Sequence, residues 1–432
     1  NMTSNMTSNM TRESQTDAYA SALAAARDNA NSMPLEDIDV TDWSLYKTNT
    51  HWPYFERLRR DAPVYFHERS RVGPYWSISG FHEMKQIDAD NARFSSLDNI
   101  TARDLPPELV APSFIAMDEP MHRVQRKSVS GVVAPQNLAA MTDLIRARIC
   151  KVLDNLPVDQ EFDWVERVSV ELTTQMLATL FDFPFEDRKK LTRWSDIATG
   201  GPQTGVVDSW DEARVELAEC LEYFTRLRNE RRGNTDGFDL VTMLANDPAT
   251  KDMPPQEYLG NLLLLIVGGN DTTRNSMSGG VLALNQFPEQ YAKLRAKPEL
   301  IPNMVAEMIR WQTPLAHMRR TALEDVDFHG HKICKGEKVV MWYVSGNRDE
   351  SVFENANELQ IDRSNARQHV SFGYGVHRCM GNRLAELQLR LLWEEIQNRF
   401  EFVEVLAEPT RINSNFVHGY ATLPVKVHAL AS

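Results

Sequence analysis

Residues 372–381 read Phe-Gly-Tyr-Gly-Val-His-Arg-Cys-Met-Gly, and a helical pattern follows from about Met380 to Phe400. Any one fixed glycine occurs at about 7%, so three fixed glycines arise by chance roughly three times in ten thousand and the loop counts as a signal. Glycines allow tight turns with positive φ and let backbone N–H groups approach an anion closely. Cys379 is expected at the N-terminus of the following helix, where the dipole and free N–H groups favour thiolate over thiol. A thiolate in such a pocket is a good axial ligand for heme iron, with Phe372 shielding the sulfur from water.

Three further constellations lie upstream. Glu307 and Arg310 are three apart and share a helix face. His122 and Arg126 are four apart and share another. Leu262–Val267 is an unbroken apolar run, so that part of its helix is buried on all sides. Gly268 and Gly269 follow, each costing about 1 kcal/mol in a helix interior, then Asn270, Asp271 and Thr272. Helix stability alone does not favour this combination.

Together these residues resemble the heme-thiolate monooxygenases of the cytochrome P450 superfamily. The loop matches FGxGxHxCxG, with Met380 where Leu or Ile is commoner. Glu307–Arg310 matches the family's ExxR, His122–Arg126 its HxxxR, and residues 268–272 its (A/G)GxDT. The resemblance implies a mainly α fold with small β-sheets, with heme b between a long central helix and the cysteine-ligand loop. It implies Cys379 as iron ligand, and Phe372, Gly373 and Gly268 beside the cofactor. His122, Arg126, Arg320, His369 and His377 fall where propionate contacts are usual. Arg363 completes a structural network with Glu307 and Arg310. Asp271 is expected to relay protons from water, and Thr272 to donate a hydrogen bond on the oxygen side.

The implied reaction uses dioxygen, two electrons and two protons to hydroxylate a C–H bond. No flavin-binding or ferredoxin segment is recognisable, so electrons are expected from a ferredoxin and its ferredoxin reductase. His377, Arg378, Arg383, Arg123 and Lys127 form the basic patch expected to receive an acidic ferredoxin. The substrate wall is expected from Leu263, Leu264, Val267, Gly268, Leu315, Ala316, Met318, Phe416 and Val417, mostly apolar and suited to an aliphatic substrate. The stretches around 114–127, 261–280 and 313–322 are similar to those of bacterial terminal alkane and fatty-acid hydroxylases. The expected reaction is therefore terminal (omega) hydroxylation of medium-chain alkanes or fatty acids. The alternatives are hydroxylation of a terpene-like or other apolar small molecule, and a peroxide-driven peroxygenase, which Asp271–Thr272 argues against. Residues 199–205 form a candidate hinge or lid loop.

The chain has 432 residues, 42% hydrophobic and 25% charged, with a formal charge of −13. Such an acidic chain is a poor binder of phosphate backbones, which demotes nucleic acid. Cys150, Cys220, Cys334 and Cys379 are far apart, which excludes CxxC redox motifs, paired-cysteine zinc sites and covalent heme attachment. It also fits a reducing cytosol, hence a cytoplasmic location. No apolar run approaches the roughly 18 residues of a membrane span. Residues 1–33 begin with an NMTS repeat and read as a disordered tail or expression scar. Residues 34–432 read as one heme-thiolate monooxygenase domain. Periodicity predicts helices over 51–60, 136–153, 165–181, 212–228 and 302–311, and one long helix over 256–287. Strands are expected over 63–66, 75–79 and 339–344, and an irregular segment over 350–377.

Overall fold

A computed structural model describes residues 12–432. Helices dominate, and four small sheets flank them. The helix Asn382–Arg399 shows why the pattern works. Leu384, Gln388, Leu391, Leu392 and Ile396 recur at helical spacing and are buried. That face packs on helix Pro135–Asp154, which buries Leu138, Ile145, Ile149 and Leu153. Helix Asp271–Gln286 lies against helix Ile301–Gln312, so the second glycine-bearing half and the ExxR segment form the middle of the molecule.

The largest sheet has five strands in the order Val64–His67, Tyr75–Ile78, Lys338–Met341, Met318–Ala322 and Phe94–Ser95. Only the Tyr75–Ile78 and Lys338–Met341 pair is parallel. A three-stranded antiparallel sheet joins Phe162–Asp163, Pro424–Ala429 and Phe400–Val405. The extended run from 339 stops early, because Tyr343–Gly346 turns into a short helix.

Two further expectations need correction. The long helix is interrupted: Pro255–Gly268 ends, and Asp271–Gln286 begins after a break at Gly269–Asn270. Asn270 leaves helical geometry at φ −118°, ψ −68°. Its side-chain oxygen accepts a 3.0 Å bond from the Thr173 hydroxyl. Periodicity could not show this, because a side-chain bond from another helix holds the break open. The N-terminal stretch also differs, since Arg12–Ser32 is helical rather than disordered. It buries Ala26 and Ala30 in an apolar cluster with Tyr54, Phe55 and Leu58. Tyr19 Oη donates to Asn49 O at 2.9 Å, and Arg57 Nη1 donates to Ala30 O at 2.7 Å. The NMTS repeat itself lies outside the described residues.

Among the described residues, no helix is long and apolar enough to cross a membrane.

Candidate active site

The cysteine loop is shaped by backbone bonds. Cys379 N–H donates to Phe372 O at 2.8 Å, and Gly373 N–H donates to Val370 O at 2.9 Å. Gly375 has φ +81°, and a Cβ there would stand 2.5 Å from Asp88 O, so no other residue fits without displacing backbone. The helix after the loop starts at Asn382, three residues past the sulfur rather than one. Burial raises the Cys379 thiol above its ordinary pKa, ahead of the opposing Gly381 N–H, Arg126 and Arg378. The expected dipole preference for thiolate is thus outweighed, and a bound metal cation is what deprotonates a coordinating thiol outright.

Cys379 lines a large cavity whose opposite wall is the interrupted helix, with Leu263, Leu264, Val267, Gly268 and Thr272. A Cβ on Gly268 would meet nothing within 4 Å, whereas one on Gly269 would stand 2.6 Å from Leu177 Cδ2. The first glycine therefore opens the cavity and the second permits close packing. Asp271 is fully buried beside Thr272. Its Oδ1 accepts a 2.9 Å bond from Arg274, which also reaches Asp196 at 3.1 Å. Burial raises the Asp271 pKa to about 6, with Arg274 pulling the other way and Asp196 adding to the rise.

One edge of the cavity is basic. His122, Arg126, Arg320 and His377 all line it. Arg126 donates only to Val376 O, at 3.3 Å, and has no carboxylate in salt-bridge reach among the described residues. His377 Nδ1 is buried without a partner. Donors left open at the rim of an apolar slot, with a sulfur below, fit a flat group carrying carboxylates. Heme b has that form.

His369 is not brought to the cavity. Its Nδ1 accepts from Ser371 N–H at 3.1 Å, and its ring packs on Phe372. Val417 is also buried away from the cavity, bridged to Leu315, while Phe416 beside it lines the wall. Leu315 and Met318 line it as expected, and so do Phe372 and Gly373. Ala316 is buried elsewhere, in the cluster with Trp342.

Glu307, Arg310 and Arg363 meet in full burial. Arg310 forks onto the Glu307 carboxylate at 2.6 and 3.0 Å, and Arg363 Nε reaches it at 2.9 Å. The two guanidiniums also collect backbone carbonyls. Arg310 takes those of Asn347, Ala356 and Glu358, and Arg363 those of Glu354, Asn355 and Glu358. The irregular segment before the cysteine loop thereby gains its fixed course.

Asp88 was invisible in the sequence. Its buried carboxylate accepts from Arg320 at 2.9 Å, from Tyr343 Oη at 2.5 Å and from Tyr374 N–H at 3.0 Å. It ties the basic edge to the cysteine loop across long stretches of chain, and no local motif marks it. The mouth was legible only as loop composition. Arg103 donates to Gly200 O at 3.1 Å and to Gln203 Oε1 at 2.9 Å, and stacks over Trp210. Asn413 Nδ2 donates to Gln203 O at 3.0 Å. Three separate segments are thus joined next to Thr199 and Trp210, which line the cavity.

Residues 133–428 match the family model described as Cytochrome P450. The chain is 34% identical over 403 residues to a linalool 8-monooxygenase of Pseudomonas putida, covering 90% of this chain and 99% of that protein. It is 31% identical over 411 residues to a methyl-branched lipid omega-hydroxylase of Mycobacterium tuberculosis, covering 91% and 95%. Among solved structures, cytochrome P450-153 from Novosphingobium aromaticivorans superposes with a TM-score of 0.85 at 43% identity, covering 91% of this chain and all of that one.

Proposed function

The chain belongs to the cytochrome P450 family, whose cofactor is heme b, and on that premise we propose that this monooxygenase hydroxylates the terminal carbon of medium-chain alkanes or fatty acids. One observation carries the reading. On the substrate side the wall is built from apolar groups such as Leu105, Leu109, Leu264, Val267, Leu315 and Phe416, with no charged side chain among them. Such a wall binds a hydrocarbon chain by burying it and offers no ionic anchor. The relative named as an omega-hydroxylase supports the terminal position. Primary C–H bonds are stronger than secondary ones, so terminal attack requires side chains that present only the end methyl.

Bound heme b supplies the redox centre that activates dioxygen for insertion into a C–H bond. The chain's own residues divide the remaining work. Cys379 presents its sulfur as the iron ligand. Arg126, His122, His377 and Arg320 receive the propionates. Thr272 presents a hydroxyl on the opposite wall. Asp271, the preceding residue, is buried behind that wall and holds a proton, and Asp196, 37% exposed, brings the far end of its Arg274 network to solvent. The apolar wall excludes other water. Arg123, Lys127, Arg378 and Arg383 stand exposed on the cysteine side for an acidic ferredoxin, which its reductase supplies with electrons.

A terpene is the second reading, favoured by the relative named for linalool. The deciding experiment presents alkanes, fatty acids and terpenes to the reconstituted enzyme and scores spin shift and product position. Terminal alcohols from linear chains are expected; predominantly internal hydroxylation, or turnover of terpenes alone, overturns the proposal.

A further inference from the structure

A second cavity, of about 190 Å³, lies apart from the cysteine loop. It is far larger than one water needs. Its roof is the N-terminal helix, which contributes Tyr19, Leu23 and Arg27 at successive four-residue steps. Its floor is the end of the ExxR helix at Trp311 and Gln312, and its side is the C-terminal segment through His418 and Tyr420.

Charge is unevenly distributed there. Arg27, Arg348 and Arg411 line the space, against Glu56 as the one lining carboxylate among the described residues. Glu56 faces Arg27 at 3.6 Å, and Arg411 is held at 3.3 Å by Glu408, outside the lining. Arg348 has no such partner among the described residues. It is 5% exposed and sits over the Trp52 and Trp311 rings, 4.1 and 5.2 Å from their centroids. Nη2 donates to Trp311 O at 2.6 Å, Nη1 makes a 3.3 Å bond to Asn357 Oδ1, and Nε has no partner. Burial pulls its pKa down to about 9, with Arg310 adding to the fall and the Glu307 carboxylate, itself shared by Arg310 and Arg363, opposing it. His418 is held neutral by burial, with Arg348 and Arg411 also opposing its charge. Tyr19, Arg27, Arg348 and Arg411 all line this one space.

A buried cation with no carboxylate in salt-bridge reach is costly, and ring faces and carbonyls offset only part of that cost. An oxyanion seated among the three guanidiniums supplies the missing charge and the acceptor geometry that Arg favours. We propose that this cavity, roofed by the N-terminal helix and lined by Arg27, Arg348 and Arg411, is a binding site for a small oxyanion, a phosphate or a short carboxylate. It is independent of the heme cavity.

The test uses the full-length, heme-loaded protein. Inorganic phosphate and acetate are titrated separately, with chloride replacing them at constant ionic strength. Binding is read by calorimetry and by thermal unfolding, and the heme absorption spectrum is followed in parallel. Saturable binding of at least one anion is expected, with a higher unfolding temperature and an unchanged heme spectrum. Which anion binds tells phosphate from carboxylate. Arg411→Gln is expected to weaken binding tenfold or more, and Arg27→Gln less, because Arg27 is half exposed. Arg348→Gln tests the buried cation directly, and Arg411→Gln keeps the test open should that variant not fold. Absence of saturable binding by either anion overturns the proposal. So does equal binding by Arg411→Gln and the parent protein, or a heme spectral shift that tracks the titration.

Discussion

Asp271 is a buried acid whose pKa, about 6, lies near working pH. Proton delivery needs its protonated form, and that fraction falls as pH rises past 6. With proton transfer limiting, turnover is expected to decline above that pH. Asp271→Asn is expected to lower coupled turnover by about 10²-fold, the usual scale of acid–base assistance, and to flatten the pH profile. Steady-state rates from pH 5 to 8, with product and peroxide both quantified, check this. The raised pKa also acts on stability. Between about pH 4 and 6 an unfolded aspartate is ionised while the folded one keeps its proton, so this residue's contribution falls as pH rises through that window. Asp88 is also raised by burial and paired with an arginine, Arg320, but it ties the basic edge to the cysteine loop. Asp88→Ala leaves a buried guanidinium uncompensated and is expected to cost about 3–5 kcal/mol. Denaturant unfolding measures that loss, and heme retention on gel filtration measures its effect on the basic edge.

The interrupted helix sets the expectations at the next scale. Gly268→Ala should leave folding stability near that of the parent, because the new methyl meets open space and alanine favours helix. It should shift preference toward slimmer substrates. Gly269→Ala should destabilise the fold by about 1–3 kcal/mol, since its methyl collides with Leu177. Unfolding curves for the pair, with relative kcat/KM on linear and branched chains, separate the two roles. Both glycines were legible in the sequence as anomalies, and the apolar run before them as a buried wall. The break itself was not, because Thr173 lies nearly a hundred residues away. The same division holds at the cysteine loop. Glu307, Arg310 and Arg363 were readable from spacing and family register, and they do meet. Asp88 was not, because its three donors come from Arg320, Tyr343 and Tyr374 and converge only once the chain is folded. His369 and Val417 stand outside the cavity lining for a related reason. Register fixes a residue's place along the chain, but the bonds of Ser371 N–H and the Leu315 bridge decide which way it faces.

For the whole molecule, charge and closure matter most. The chain carries −13 overall yet exposes Arg123, Lys127, Arg378 and Arg383 around the cysteine side. Against the proposed acidic ferredoxin, net repulsion would leave this local patch to steer encounter. Arg383→Glu is expected to raise the KM for ferredoxin several-fold at low salt and to lose most of that effect at high salt. Initial rates at two ionic strengths decide it, and a salt-independent change would place the defect elsewhere. The mouth has its own consequence. Arg103 and Asn413 stitch the 200–205 loop to two other parts of the chain, and Gly201, at φ +101°, lets the loop lie against Trp210. A product leaving past this clasp is expected to depart no sooner than the clasp loosens. If release waits on that loosening, the first catalytic cycle is expected to outrun all later ones, and Arg103, which never meets the reacting carbon, would set the pace.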